Sequence, residues 1–459
     1  MSSIDVIVIG AGLAGYCAAI EAAEHGAGVL LLEKQAKVGG SSILSGGSFA
    51  FAGTPEQASA GISDNAALLY KDMRYVGAEE NDEKLVSLYT DHQLEAHRWL
   101  FDIGVRFGPI QVASGQSVPR MHSAKPPVLF ELLKARAARY PRLRLQTGTR
   151  VMRLLRDPQS QRVTGVLAER DGGKETLRCT GGVVIASGGF SRNEELLRRF
   201  VPQQAKAARV GGPGNTGDGL LMAWELGAGF RDMAYIKGTF GNRPDAKPEE
   251  HTALLAIYKG AIAVNLNGER FVDESISYKL IGDAVLDQPE ARGYQIFDSV
   301  VMGQSVPGIK VFDFQKKLEE GKLLSAPTLD ELAARTGLPA EKLKQSIASY
   351  NADAKAERDS RYGRTSLAAG YGGLVPVEKP PFYAYLSGSA IIATYCGLTV
   401  DTDMRVLDVF GQVIAGLYAA GEVTGGFHGV AFMTGTSLGK STICGRVAGR
   451  NAAQLSTAL

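Results

Sequence analysis

The chain has 459 residues, enough for two or three domains around a large core. Fifty Lys and Arg against 48 Asp and Glu leave a formal charge of +2, which gives no reason to expect nucleic acid or an anionic membrane as partner. The four cysteines, Cys17, Cys179, Cys396 and Cys444, are widely spaced with no pair two residues apart, so reduced core thiols are expected and neither a disulfide framework nor a thiolate metal site.

In chain order, Met1 to Ser3 leads directly into a strand pattern, so no signal peptide is predicted. No apolar run is long enough to span a bilayer, and a cytoplasmic protein is expected. Residues 4–10 read as a short buried strand running into Gly10-Ala11-Gly12-Leu13-Ala14-Gly15. A helical stretch over 16–25 follows, then a second apolar run, 28–32, ending on Glu33 and Lys34. Strand, glycine turn, helix, strand and acid in this order form a dinucleotide-binding βαβ unit. Gly10 permits the turn, Gly12 lets the backbone approach a pyrophosphate, Gly15 lets the helix pack against the strand, and Glu33 accepts from a ribose hydroxyl.

Further on, 64–100 read as two amphipathic helices, 127–140 as another, and 143–153 as a strand. Residues 163–180 alternate around Asp171-Gly172-Gly173, a hairpin signal. Val183-Val184-Ile185-Ala186-Ser187-Gly188-Gly189 is a buried strand opening into glycines. After 226–228 the character changes: 231–259 is irregular and charged, 260–264 a strand, and 328–357 two helical periods broken at Gly337-Leu338-Pro339. Near the end, Gly416-Leu417-Tyr418-Ala419-Ala420-Gly421-Glu422 is an apolar strand closing on an acid, followed by a glycine-rich turn and a helix over 436–453. A nicotinamide cofactor needs only the first crevice, whereas the longer FAD must also be held along its ribityl chain and flavin. The second and third glycine-terminated strands therefore favour FAD.

With these segments on the page, the chain resembles the fumarate reductase/succinate dehydrogenase flavoprotein family, in its single-subunit branch, which also holds the 3-ketosteroid dehydrogenases. The resemblance rests on Gly10 to Gly15 with Glu33, on Gly39-Gly40-Ser41-Ser42 with Ser45-Gly46-Gly47, on Asn215-Thr216-Gly217-Asp218-Gly219, on Asn267 to Glu274, and on Gly416 to Gly429. It implies an α/β fold: a Rossmann-like FAD-binding domain (1–231 and 388–459) with an inserted α+β cap, or substrate, domain (232–387). Substrate is expected between cap and flavin. The cofactor residues so assigned are Gly10, Gly12, Ala14, Gly15, Glu33, Lys34, Gly40, Ser41, Ser42, Ser45, Gly46, Gly47, Val151, Ala186, Ser187, Gly188, Asn215, Asp218, Gly421, Glu422, Ser437 and Leu438. Gly40 stands where some members carry a histidine joined to FAD, so non-covalent FAD is expected.

The substrate site departs from the fumarate reductases. Phe432 falls at their clamping arginine, Ile392 at a histidine, Leu254 and Ile257 at the proton relay, and Tyr278 at the proton-donating arginine. The pocket thus reads as apolar, lined by Phe432, Ile392, Tyr395 and His428, with Arg120 placed to meet an anionic group. The 3-ketosteroid dehydrogenases carry a tyrosine at the Tyr278 position and a backbone donor at the Gly435 turn. The resemblance therefore implies α,β-desaturation of an apolar cyclic ketone, or its reverse, with Tyr278 and Gly435 catalytic. Lys279, Lys259 and Lys237 are cations that would assist the phenol. The alternatives are a reductase of an unsaturated carboxylic acid, using Arg120 or Arg231, and a non-catalytic FAD protein of electron transfer or assembly. The partner is a small-molecule substrate, with an electron acceptor the sequence does not name. No metal site is expected: His92 and His97, five apart on one helix, do not share a face.

Overall fold

The apolar runs read from the sequence pair into one six-stranded sheet. The computed structural model describes residues 3–236, 238–247, 250, 252–368 and 372–457. The sheet order is Arg405–Leu407, Val413–Ala419, Gly182–Ile185, Val6–Ile9, Val29–Leu32, Leu143–Gln146. Every neighbour is parallel except the edge strand Arg405–Leu407. Val6 lies opposite both Val29 and Gly182, and Val6, Ile7 and Val8 are wholly buried. Covered on both faces, a parallel sheet needs such unbroken apolar strands.

Two helices close one face. Leu13–Glu24 packs against the C-terminal helix Thr436–Thr457, and the contact is backbone on backbone. A Cβ on Gly445 would lie 2.5 Å from the Ala14 carbonyl oxygen, and one on Gly449 2.1 Å from that of Ala18. Arg446 and Arg450 each reach Glu21 at 2.7 Å and fix the register of the pair.

The chain divides into two compact units. The first comprises Met1–Val201, Gly211–Ile236 and Ala393–Leu459, the second Pro202–Val210 and Lys237–Ile392. The sequence placed the cap at 232–387. The second unit also takes in 202–210, because Ala208–Arg209 pairs in parallel with Ala390 and Ile391. Besides the sheet, the first unit holds a meander of Arg150–Arg156, Val163–Arg170 and Gly173–Arg178. Its second turn carries left-handed backbone at Asp171 and Gly172, the pairing a tight hairpin requires. The strand expected over 143–153 is two strands, one in each sheet, parted around Gly148 at φ +63°.

In the second unit, Phe382–Ile391 is central. Arg292–Phe297, Thr239–Asn242 and Leu324–Ala326 pair with it antiparallel, and Ile262–Asn265 continues from Arg292–Phe297. Leu332, Leu343, Ile347 and Tyr350 from helices Leu329–Thr336 and Ala340–Lys355 pack on the Ile262 and Ile296 face. The Asn267 to Glu274 segment is anchored by Arg270, 97% buried, which pairs with Glu274 at 2.7 Å and Asp359 at 2.8 Å. Among the described residues no helix is long and apolar enough to cross a membrane.

Gly449→Ala tests the helix contact. Helix propensity alone would stabilise by about 1 kcal/mol. The new methyl must instead push the helices apart, and overpacking costs about 1–3 kcal/mol. A lower denaturation midpoint is expected in urea, and a higher one would show that the two backbones are not in contact.

Candidate functional site

At the carboxyl ends of the parallel strands, three glycines do three different things. Gly10 has φ +103°, and a Cβ there would lie 2.4 Å from the Ala186 carbonyl oxygen. A Cβ on Gly15 would lie 1.8 Å from the Gly10 carbonyl oxygen. At Gly12 the nearest atoms, the Gly39 carbonyl and Ser42 Oγ, stand 4.0 Å away. Gly12 is also the N-cap of Leu13–Glu24, with no side chain capping it. An open cradle facing uncapped N–H groups suits a pyrophosphate. Ser42 Oγ accepts from Leu13 N at 3.4 Å, and Ser45 Oγ donates to Ser42 O at 2.7 Å and accepts from Gly47 N at 3.1 Å. Gly40 has φ +50°, and Gly46 meets nothing closer than 3.9 Å.

Glu33, 8% exposed, accepts from Ala11 N and from Gln35 N, each at 2.8 Å. Its carboxylate thus ties the glycine turn to the end of the second strand, with lone pairs left for a ribose hydroxyl. Lys34 Nζ donates to Thr216 Oγ1 at 2.6 Å and Asp218 Oδ2 at 3.0 Å, and Thr216 donates to Asp218 Oδ1 at 2.8 Å. Burial works to raise the Asp218 pKa, but the Thr216 hydroxyl and the Lys34 ammonium outweigh it and hold the carboxyl below its usual range.

A second network joins distant segments. Ser41 Oγ accepts from Gly212 N at 3.0 Å and Asn215 Nδ2 at 2.9 Å. The same Asn215 nitrogen reaches Glu422 Oε2 at 3.1 Å, and Thr394 N donates to Glu422 Oε1 at 3.0 Å. A Cβ on Gly188 would lie 2.5 Å from Asn215 Oδ1, and one on Gly421 2.7 Å from Ala14 Cβ. Burial raises the Glu422 pKa, opposed by the Thr394 and Asn215 donors. Val151, Ala186 and Leu438 are buried apolar walls. Ser187 Oγ and Ser437 Oγ are buried hydroxyls that have no hydrogen-bond partner among the described residues. Such orphaned groups at the end of one strand and the start of one helix call for a polar ligand. Together with the Gly12 cradle they fit FAD.

Gly435 precedes helix Thr436–Thr457 with φ +94°; a Cβ there would lie 2.7 Å from Ala50 N, and its carbonyl accepts from that nitrogen at 3.2 Å. Three of the expected lining residues form one aromatic group. Tyr395, at φ +56°, stacks on Phe432 at 4.6 Å and 15°, and His428 stands edge-on to both at 5.2 and 5.8 Å. Ile392 is the last residue of the second unit.

Arg120 does not meet the expectation that it greets an anion. It is fully buried, with Nε and Nη2 on Asp64 at 2.9 and 2.7 Å and Nη1 on Asp72 at 2.5 Å. Two carboxylates already neutralise it, and freeing it would leave them buried without their partner. Arg231 is likewise paired, with Asp82 at 2.7 Å.

In the second unit, Tyr278 opens helix Tyr278–Leu286 behind the N-cap Ser277 and is 8% exposed. Tyr258 lies 6.3 Å from it between ring centroids. Lys279, by sequence a solvated charge, is 2% exposed; its Nζ lies 5.8 Å from the Tyr278 ring centre and donates to Thr239 Oγ1 at 2.8 Å. Lys259 lies over Phe312 at 5.1 Å, its pKa lowered by burial. Lys237 lies outside the described residues.

Sequence reasoning missed Thr216, Thr394 and Lys440. Thr216 sat inside a segment already quoted, whereas Thr394 lies in irregular chain with no pattern to mark it. Lys440, 2% exposed, donates to the Thr424 carbonyl at 2.7 Å, and burial pushes its pKa down to about 8. Its signal was a cation among the small residues that open a buried helix.

Residues 5–438 match the family described as FAD binding domain. The chain is 31% identical over 466 residues to urocanate reductase of Eggerthella lenta, covering 99% of this chain and 75% of that protein. The open conformation of a flavocytochrome c3 fumarate reductase superposes with a TM-score of 0.84 at 27% identity, over 99% of this chain and 78% of that one. The 3-ketosteroid-Δ4-(5α)-dehydrogenase of Rhodococcus jostii RHA1, solved with 4-androstene-3,17-dione, superposes with a TM-score of 0.77 at 26% identity, over 98% and 97%.

Glu33→Ala strands the N–H groups of Ala11 and Gln35, each a loss of about 1–3 kcal/mol when buried. The variant is expected to melt earlier and to leave gel filtration with less than stoichiometric FAD. Full flavin content would count against Glu33 as a cofactor ligand.

Proposed function

The chain belongs to the FAD binding domain family and is an FAD-dependent oxidoreductase acting on the CH–CH group of donors, and from that premise we propose that it works on the carbon–carbon bond next to the carbonyl of an apolar, cyclic substrate, such as a 3-ketosteroid, by desaturation or the reverse reduction. The observation that carries this reading is the stack of Tyr395 on Phe432 with His428 edge-on. It presents aromatic surface where a carboxylate clamp would need a cation, and Arg120 and Arg231 are both committed to carboxylates.

FAD, bound without a covalent link, supplies hydride transfer when it is in place. Gly12 and the uncapped helix start receive the pyrophosphate, Glu33 the ribose, and Ser187 and Ser437 the remaining polar atoms. Gly435 N–H is the donor to the substrate carbonyl, at a position where a Cβ has no room. A hydrogen bond there acidifies the neighbouring C–H. Tyr278 is the group that takes or gives that proton. It sits in the first turn of its helix, where the helix dipole favours negative charge, and the buried Lys279 ammonium adds to that field.

Reduction of an unsaturated acid is the second reading, favoured by the 31% identity to urocanate reductase. An anaerobic screen separates the two. Bleaching of the flavin by saturated cyclic ketones is expected. No bleaching, with the dithionite-reduced protein reoxidised by urocanate or fumarate and by no enone, would replace the ketone with the acid.

Tyr278→Phe should keep its flavin spectrum and lose about 10²-fold or more in turnover, the scale of a general acid–base. Turnover within a few-fold of the parent would remove Tyr278 from the chemistry.

A further inference from the structure

Glu56, His97 and His122 form a cluster that this chemistry does not use. They come from three elements of the first unit: helix Pro55–Ser59, helix Glu83–Asp102 and strand Met121–Ser123. One ligand-capable atom of each lies within 4.8 Å of the other two. His122 is wholly buried, His97 is 3% exposed, and the Glu56 side chain at 29% opens the cluster to solvent. Phe51 and Phe107 flank both imidazoles with ring centroids 5.3 to 5.6 Å away.

Each imidazole is prepared as a ligand. His122 Nδ1 lies 2.8 Å from the Arg120 carbonyl oxygen, so that nitrogen carries the proton and Nε2 keeps its lone pair, now facing Thr54 Oγ1 at 2.8 Å. A backbone carbonyl on the far nitrogen is how metal-binding imidazoles are held. His97 Nε2 and Glu56 Oε2 face each other at 3.0 Å, yet neither finds an aligned hydrogen-bond partner among the described residues. Two buried polar atoms that converge without bonding are what a cation between them would satisfy.

We propose that Glu56, His97 and His122 bind a divalent transition-metal ion of the zinc type, with Thr54 or water completing the shell. Two imidazoles and one carboxylate are a donor set such ions accept. His92, five residues before His97 and off its face, turns to Glu95 at 3.2 Å; the imidazole that meets His97 is that of His122, brought in by the strand pair of Met121–Ser123 with Ser48–Ala50. An ion here would staple the long helix to that strand pair, whose Ala50 N–H holds the Gly435 carbonyl.

The test uses the flavin-loaded full chain, stripped with a chelator and dialysed against Zn²⁺, with bound metal read by atomic emission. All four cysteines are buried and do not compete. About one zinc per chain and a melting temperature that climbs with zinc concentration are expected. Glu56→Gln, half-exposed and of the same shape, and His97→Gln should each weaken binding by about tenfold or more, whereas His92→Gln should not. No bound zinc, equal zinc in Glu56→Gln and parent, or loss confined to His92→Gln would each overturn the proposal.

Discussion

Helix Leu13–Glu24 starts so near the strand before it that one methyl group on Gly15 would collide with the Gly10 carbonyl, and the first unit is organised around that approach. Because the turn is tight, the first N–H groups of the helix open toward the space at Gly12, with the Ser42 hydroxyl on Leu13 N at 3.4 Å. Because it is tight, Ala11 N also comes within reach of Glu33, which locks the neighbouring strand's end to the turn. The same helix then offers Ala14 and Ala18, small enough for Gly445 and Gly449 to lie on its backbone. Small residues at the helix start therefore serve the cofactor side and the packing side at once.

Buried charge follows one rule in both units: every interior cation that the site depends on is held by a specific oxygen. Arg270 has Glu274 and Asp359, Arg120 has Asp64 and Asp72, and Lys279 has Thr239. Removing one member of such a pair costs about 3–5 kcal/mol, so these contacts constrain shape more than they add stability. Asp218 and Glu422 show how local donors set charge. At Asp218 the donors overcome burial and favour the anion, whereas at Glu422 burial prevails and the proton is held more tightly. The two acids assigned to one cofactor thus differ in electrostatic character.

The glycine motif was legible because left-handed backbone and close approach leave only one residue type available, as at Gly10 and Gly15, while Gly12 keeps open the space in front of the turn. The apolar strands were legible because a two-sided parallel sheet tolerates no polar interruption, as in Val6 to Ile9. Other features leave no such trace. Arg120 looked like a site cation for an anionic group because nothing local announces Asp64 and Asp72. Lys279 looked solvated because its burial depends on Thr239, a residue forty positions earlier. Residues 202–210 looked like part of the dinucleotide-binding domain, since a two-residue strand such as Ala208–Arg209 has no periodicity to read. His122 is brought to His97 by a strand pairing, Met121–Ser123 with Ser48–Ala50, that spans some seventy residues and that only the folded chain reveals.

The segmented construction of the first unit also sets an order of events on the ribosome. Its sheet lacks Val413–Ala419, and its first helix lacks the partner carrying Gly445 and Gly449, until the last of its three segments has been made. The second unit, by contrast, has all its strands once Ile391 has emerged. Vectorial synthesis therefore lets the inserted unit mature first, while Gly182–Ile185 lacks its second neighbour and helix Leu13–Glu24 its packing partner until the C-terminal segment follows. That interval, with apolar surface of the first unit still unpaired, is when a nascent chain of this design is open to misassembly.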